Sequence, residues 1–320
     1  MKLFVLCRRG SIVHWAADSV AAFRAAGHDV RVGIARDSRL GAPIEWLLAA
    51  PLLGAPRAAH ICRTITKFSP DLILAIAPHG LPLSILQRIA NLPGRPPMIG
   101  WIGDLFSTAQ FQATALFDAV AYTDTGLLAL HRQFALSPPA AYVPHAASPG
   151  IERAVAEHRT RLPRMMFVAH PTSHRREVIG RIRTPIALYG KGWTAFPQVA
   201  HAVHDRQVQI DELACIYHAY VAALNIRHEE HVLAGLNQRH FDPCLAATPV
   251  VSDDQPDLPH CFEPGQEVLV YHNTDELNDI YAKLQREPSF AARIGEMARR
   301  RVLAEHTYAR RLEALAGLVR

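Results

Sequence analysis

At 320 residues the chain is too long for one ordinary hydrophobic core and suits two domains of common size. Hydrophobic residues make up 49% and charged residues 20%, which excludes a disordered chain, and no apolar run approaches the roughly 20 residues of a membrane helix. The formal charge of +5 comes from basic residues spread along the sequence, so it selects neither nucleic acid nor anionic lipid as a partner.

In chain order, the opening MKLFVLCRRG reads as a first strand over Leu3 to Cys7 and not as a signal peptide, so a cytoplasmic location is expected. Trp15 to Ala26 carries helical periodicity, Gly27 stops it, and Asp29 to Ala35 is a second strand. Leu72 to Ala77, Met98 to Ile102 and Ala119 to Tyr122 are short apolar blocks separated by helix-length segments. The prolines and glycine of Tyr142 to Gly150 read as a linker, dividing the chain into residues 1–150 and 151–320. A second cycle of strands follows at Met165 to Ala169, Ile186 to Tyr189, Val221 to Ile226, Pro249 to Ser252 and Val268 to Tyr271. The chain closes in helices over Thr274 to Arg286, Ser289 to Glu305 and Ala309 to Arg320, the last of which is free to pack back on the first domain. Alternation of this kind implies α/β architecture with two Rossmann-like, doubly wound parallel sheets, and a ligand site at a cleft between the halves. The five cysteines are odd in number and scattered, which fits reduced core thiols.

Chemistry concentrates in the second half. After the strand ending at Ile226, a polar loop leads into a predicted helix whose first turn holds Asn237, Arg239 and Asp242, ahead of a Thr248-Pro249 junction and the buried strand Val250-Val251. A helix start, a guanidinium and a carboxylate together suit a ligand carrying phosphates and a diol. The bland readings stand beside these: Asn237 as a helix cap, Arg239 as a surface arginine, Asp242 as a charge favourable to the helix dipole.

Asn237-Gln-Arg239-His-Phe-Asp242, Phe262-Glu-Pro-Gly265-Gln-Glu267-Val-Leu-Val-Tyr271, Asp275-Glu-Leu277 and Glu305-His306-Thr307-Tyr308-Ala-Arg310, in this order and spacing, resemble the spore-maturation-protein (CgeB-like) glycosyltransferases. These are relatives of the GT-B transferases. The resemblance is densest over residues 165–310 and only an outline before that. It implies a GT-B fold whose second domain binds a nucleotide sugar and whose first domain binds an acceptor, with no cofactor and no metal. Asp242 matches the position of a ribose-binding glutamate, one methylene shorter. A donor-contacting glutamate found seven residues earlier in retaining relatives corresponds here to Gly235, so the stereochemical outcome is open. The resemblance also puts Arg175 or Arg176 against the pyrophosphate and aligns Gly190-Lys191-Gly192 with a glycine turn of the family, with Lys191 the weaker charge candidate.

In the first half, three strand-end loops carry candidate chemistry. Gly10 and Ser11 suit a phosphate approach, although the full dinucleotide fingerprint is lacking. Asp104 is the leading candidate for the catalytic base and His79 its alternative, while Asp124 reads as a cap or an interface residue. The spacings His228 to His231 and His240 to Cys244 lack a full zinc ligand set, and Asp253-Asp254 lacks a second acidic pair. The expected function is transfer of a sugar from a nucleotide diphosphate to an acceptor hydroxyl on a saccharide, lipid-linked glycan, protein or small molecule, with peripheral membrane contact a weaker expectation and no nucleic acid. A nucleotide-sugar epimerase and a non-catalytic nucleotide-sugar-binding protein are the rival readings.

Overall fold

The computed structural model describes residues 1–9, 13–37, 40–41, 44, 54–105, 107, 110–111, 113–152, 161–196 and 202–320. It divides into two compact units, one made of residues 1–144 with 308–320 and the other of residues 145–307. Among the described residues no helix is long and apolar enough to cross a membrane.

The first unit is built on six parallel strands: β1 (Lys2–Arg9), β2 (Asp29–Asp37), β3 (Leu72–Ile76), β4 (Met98–Ile102), β5 (Ala119–Tyr122) and β6 (Ala140–Tyr142). Their order is β2-β1-β3-β4-β5-β6, so the winding reverses between β1 and β3. The runs LILAI, MIGWI and AVAY of β3, β4 and β5 are buried throughout, as strands covered on both faces must be. One cover is the helix Ala55–Phe68, which turns Ala58, Ile61, Cys62, Ile65 and Phe68 inward along a single stripe. Another is the last helix, Tyr308–Gly317, which packs beside Val13–Ala25. Tyr308 meets the buried Trp101 edge-on at 6.3 Å, and Trp101 meets Trp15 at 4.9 Å. Such aromatic edge-to-face pairs add about 0.5–1.5 kcal/mol each beyond their burial.

The second unit repeats the plan with β7 (Leu162–Val168), β8 (Ile186–Tyr189), β9 (Val203–His204), β10 (Tyr220–Asn225), β11 (Val250–Asp253) and β12 (Val268–Tyr271). All pairings are parallel, in the order β12-β11-β10-β7-β8-β9, and the winding reverses between β7 and β10. The edge strands β6 and β9 have three and two residues, too few to show a pattern in the sequence.

Two local features differ from the sequence reading or sharpen it. The stretch read as a linker is buried from His145 to Ser148, where it forms the start of the second unit. Ala147 N–H donates to the His306 carbonyl at 3.0 Å and Ser148 N–H to the Asp242 carboxylate at 2.8 Å. The glycine turn after β8 is a matter of close approach. Gly190 has φ +128°, and a Cβ there would stand 2.3 Å from the Ala169 carbonyl oxygen, which also accepts from the Trp193 indole at 2.7 Å. Gly190→Ala is therefore expected to cost about 3 kcal/mol through backbone strain and overpacking. A thermal midpoint equal to that of the parent would refute this account of the turn.

Candidate functional site

In doubly wound sheets, ligands bind beyond the carboxyl ends of the strands where the winding reverses. In the second unit that point lies between the ends of β7 and β10. Arg175, in the first turn of the helix Ser173–Arg181, is buried there. Its Nε and one terminal nitrogen each donate to the Ile226 carbonyl at 3.2 Å, and the other terminal nitrogen donates to the His170 carbonyl at 3.1 Å. The guanidinium thus ties together the two diverging strand ends. Burial and the neighbouring Arg239 push it down to about 9, with Asp253 opposing.

Arg239 is held differently. The Asn225 side-chain oxygen, at the end of β10, accepts from Arg239 Nε at 3.1 Å and from Asn237 Nδ2 at 3.3 Å. Nε is the one guanidinium nitrogen of Arg239 with a hydrogen bond among the described residues. Burial lowers its pKa, while Tyr217, Asp253 and Asp242 act to raise it. The single predicted helix beginning at Asn237 is replaced by two short turns. Asn237 caps a 3-10 turn, Gln238–His240, and the His240 ring bonds back to the Asn237 amide at 3.3 Å. A separate α-turn, Asp242–Leu245, then starts with Pro243 in its first positions. Asp242 is buried, with one carboxylate oxygen engaged by Ser148 N–H.

His240 and Asn225 are candidate site residues that the sequence does not reveal as a pair. Asn225 is the one polar residue in the buried end of β10, and that break in an apolar run was the available signal. His240 Nε2 lies 2.8 Å from Asn225 Nδ2 and 3.0 Å from Ser252 Oγ, and burial pushes the imidazole down to about 3. A neutral histidine therefore supports the asparagine that positions Arg239.

The other candidates are dispersed around this point. Asp253 accepts from Arg227 N–H at 3.1 Å and from Gln255 Nε2 at 2.9 Å, and burial raises its pKa against those hydrogen bonds. Asp254 faces His272 at 3.7 Å. Arg176 lies over the Phe196 ring at 4.5 Å and donates to Ser173 Oγ. Lys191 is exposed, and its carbonyl lies 3.2 Å from His170 Nδ1. A cavity of about 390 Å³ runs alongside, with His174, Arg227, Asp253 and Tyr271 in its wall. Ligand atoms of His228, Glu230 and His231 come within 4.8 Å of one another. The His240–Cys244 spacing makes no such group, since Cys244 Sγ donates to the His240 carbonyl at 3.1 Å.

In the first unit the winding reverses between β1 and β3. Gly10 and Ser11 lie outside the described residues. After β3 the chain takes a left-handed step at Ala77, with φ 50°, and turns through Pro78–Gly80. This brings His79 Nε2 to 3.4 Å from the carboxylate of Asp104, which follows the neighbouring strand β4. The two side chains are 14% and 31% exposed, so the pair is reachable from solvent. Asp124 is the cap of the helix Thr125–Gln133, accepting from Gly126 N–H at 2.7 Å and Leu127 N–H at 3.2 Å.

Residues 167–317 match a family model described as "Glycosyl transferase-like". Comparison with curated proteins returns no match. Among solved structures, the chain is similar to a sucrose-phosphate synthase from Thermosynechococcus elongatus, with 12% identity and a TM-score of 0.67 over 100% of this chain and 98% of that one. A glycosyltransferase from Rickettsia africae superposes with a TM-score of 0.70 at 8% identity, covering 99% of this chain and 98% of its own. Anabaena HepE, solved in complex with UDP-glucose, does so at 0.67 and 14% identity, covering 100% and 99%. The two doubly wound sheets are those of the GT-B fold.

Proposed function

We propose that this chain, with its glycosyl transferase-like domain over residues 167–317, moves a sugar from a nucleotide diphosphate to an acceptor hydroxyl. The observation that carries the reading is the half-buried Arg239 guanidinium, which hydrogen-bonds through Nε to Asn225 beside the reversal of the second sheet. A cation whose terminal nitrogens have no hydrogen bond among the described residues, next to the buried Arg175, suits the diphosphate of a donor. The HepE complex with UDP-glucose supports a nucleotide sugar as that donor, and the motif order favours the CgeB-like branch of the family.

In this reading, the His79–Asp104 pair of the first unit receives the proton of the acceptor hydroxyl. The hydroxyl oxygen forms a bond to the anomeric carbon of the donor. The bond from that carbon to the diphosphate breaks, and its electron pair leaves with the diphosphate, whose charge Arg239 and its neighbours stabilise without a metal or further cofactor.

The test is a thermal-shift series with nucleoside diphosphates and their sugars, followed by transfer assays with the donor that binds. A ligand at one hundred times its dissociation constant stabilises by about 2.7 kcal/mol. If none of the nucleotides raises the melting temperature, the proposal is wrong.

A further inference from the structure

The first unit contains a second cavity, of about 210 Å³, that the transfer reaction described above leaves unassigned. Its wall is mostly apolar: Leu81, Leu86, Ile102 and Phe117 are buried side chains of the first core, and Leu83, also in the lining, has 47% of its surface exposed. His79 lines the same cavity while its Nε2 faces the Asp104 carboxylate at 3.4 Å. Beside His79, two polar residues of the lining each have a donor engaged within the fold. Gln110 Nε2 donates to the His79 carbonyl at 2.8 Å and Thr114 Oγ1 to the Phe111 carbonyl at 2.7 Å. A free sugar placed there would surrender its water hydrogen bonds to aliphatic walls, at a cost of about 1–3 kcal/mol for each hydroxyl left unpaired.

We infer that this cavity seats the apolar part of the acceptor, and that the acceptor is an aryl alcohol whose hydroxyl is presented to the His79–Asp104 pair. The size of the space decides between an aromatic ring and a long chain. A dry cavity of about 150 Å³ lined by Leu, Ile and Phe accepts benzene, so 210 Å³ holds one substituted ring but not the tail of a lipid. Acidity points the same way. A phenolic hydroxyl titrates near pH ~10, so a histidine–carboxylate pair removes its proton far more readily than that of an alkyl alcohol. Burial of the ring against four aliphatic and aromatic walls supplies affinity, and the pair at the rim supplies orientation. The inference rests on the proposed transferase reading for its chemistry, but not for the existence of the binding site.

The experiment titrates the full chain with 4-methylumbelliferone, a fluorescent phenol, and measures saturable binding alongside the nucleotide thermal shift. Two variants accompany the parent. Ala113→Phe fills the cavity from its wall, and Leu83→Asp charges its lining without disturbing a buried position. The expected result is saturable binding by the parent, weakened at least about tenfold in both variants with the nucleotide shift unchanged, and transfer to the phenol exceeding transfer to free glucose. Absence of saturable phenol binding, or binding equal in parent and variants, overturns the inference even where the nucleotide shift is intact. Absence of the nucleotide shift instead overturns the transferase reading, so the two failures are told apart.

Discussion

His79→Ala is expected to lower turnover by about 10²- to 10⁴-fold, the range for losing a general base, while the thermal shift produced by a nucleotide stays as in the parent. The separation follows from the structure, because His79 belongs to the first unit and the arginine cluster to the second. Asp104→Asn keeps the shape beside His79 Nε2 but removes its charge, so turnover should fall here as well, with the Michaelis constant for the donor unmoved. Steady-state kinetics with a saturating donor measure both. Turnover within tenfold of the parent in His79→Ala would place the base elsewhere.

Arg239→Ala carries the second large effect. If Arg239 holds the diphosphate as proposed, removing this half-buried guanidinium weakens nucleotide binding by about 3 kcal/mol, or roughly 100-fold in the dissociation constant. Arg239→Lys should recover only part of this, since a lysine carries its donors on a single nitrogen and cannot hold Asn225 through one nitrogen while two others present a planar fork. Asp242→Ala makes a useful contrast. Its carboxylate oxygen holds Ser148 N–H in a buried setting, and losing a hydrogen bond to a charged group costs about 1.5–3 kcal/mol of stability. Calorimetric titration with a nucleoside diphosphate, read beside the melting temperature, separates the two. Nucleotide affinity equal to the parent in Arg239→Ala would refute the diphosphate assignment.

How far the sequence foretells these features depends on how each is encoded. Strands such as β4 and β12 keep the bounds expected for them, because a parallel strand covered on both faces must be apolar along its whole length. A two-residue edge strand like β9 has no room to show a pattern. Arg239 and Asn237 are legible through a motif, and the structure brings them together on Asn225. Arg175 shows the limit of such reading: position in a basic loop does not reveal that its guanidinium also bonds the backbone carbonyls of His170 and Ile226. His79 and Asp104 were separate candidates in the sequence. They become a pair because β3 and β4 are neighbours in the sheet, a relation that strand order settles and spacing along the chain does not.

The helix Tyr308–Gly317 belongs to the unit that begins at Met1, although residues 145–307 intervene in the chain. A domain assembled in this way cannot finish folding in the order in which it is synthesised. The second sheet has all its strands once residue 271 is made, whereas Trp101, which packs on Trp15, lacks the Tyr308 ring until residue 308 is added. During synthesis the half that leaves the ribosome first is thus the half that closes last.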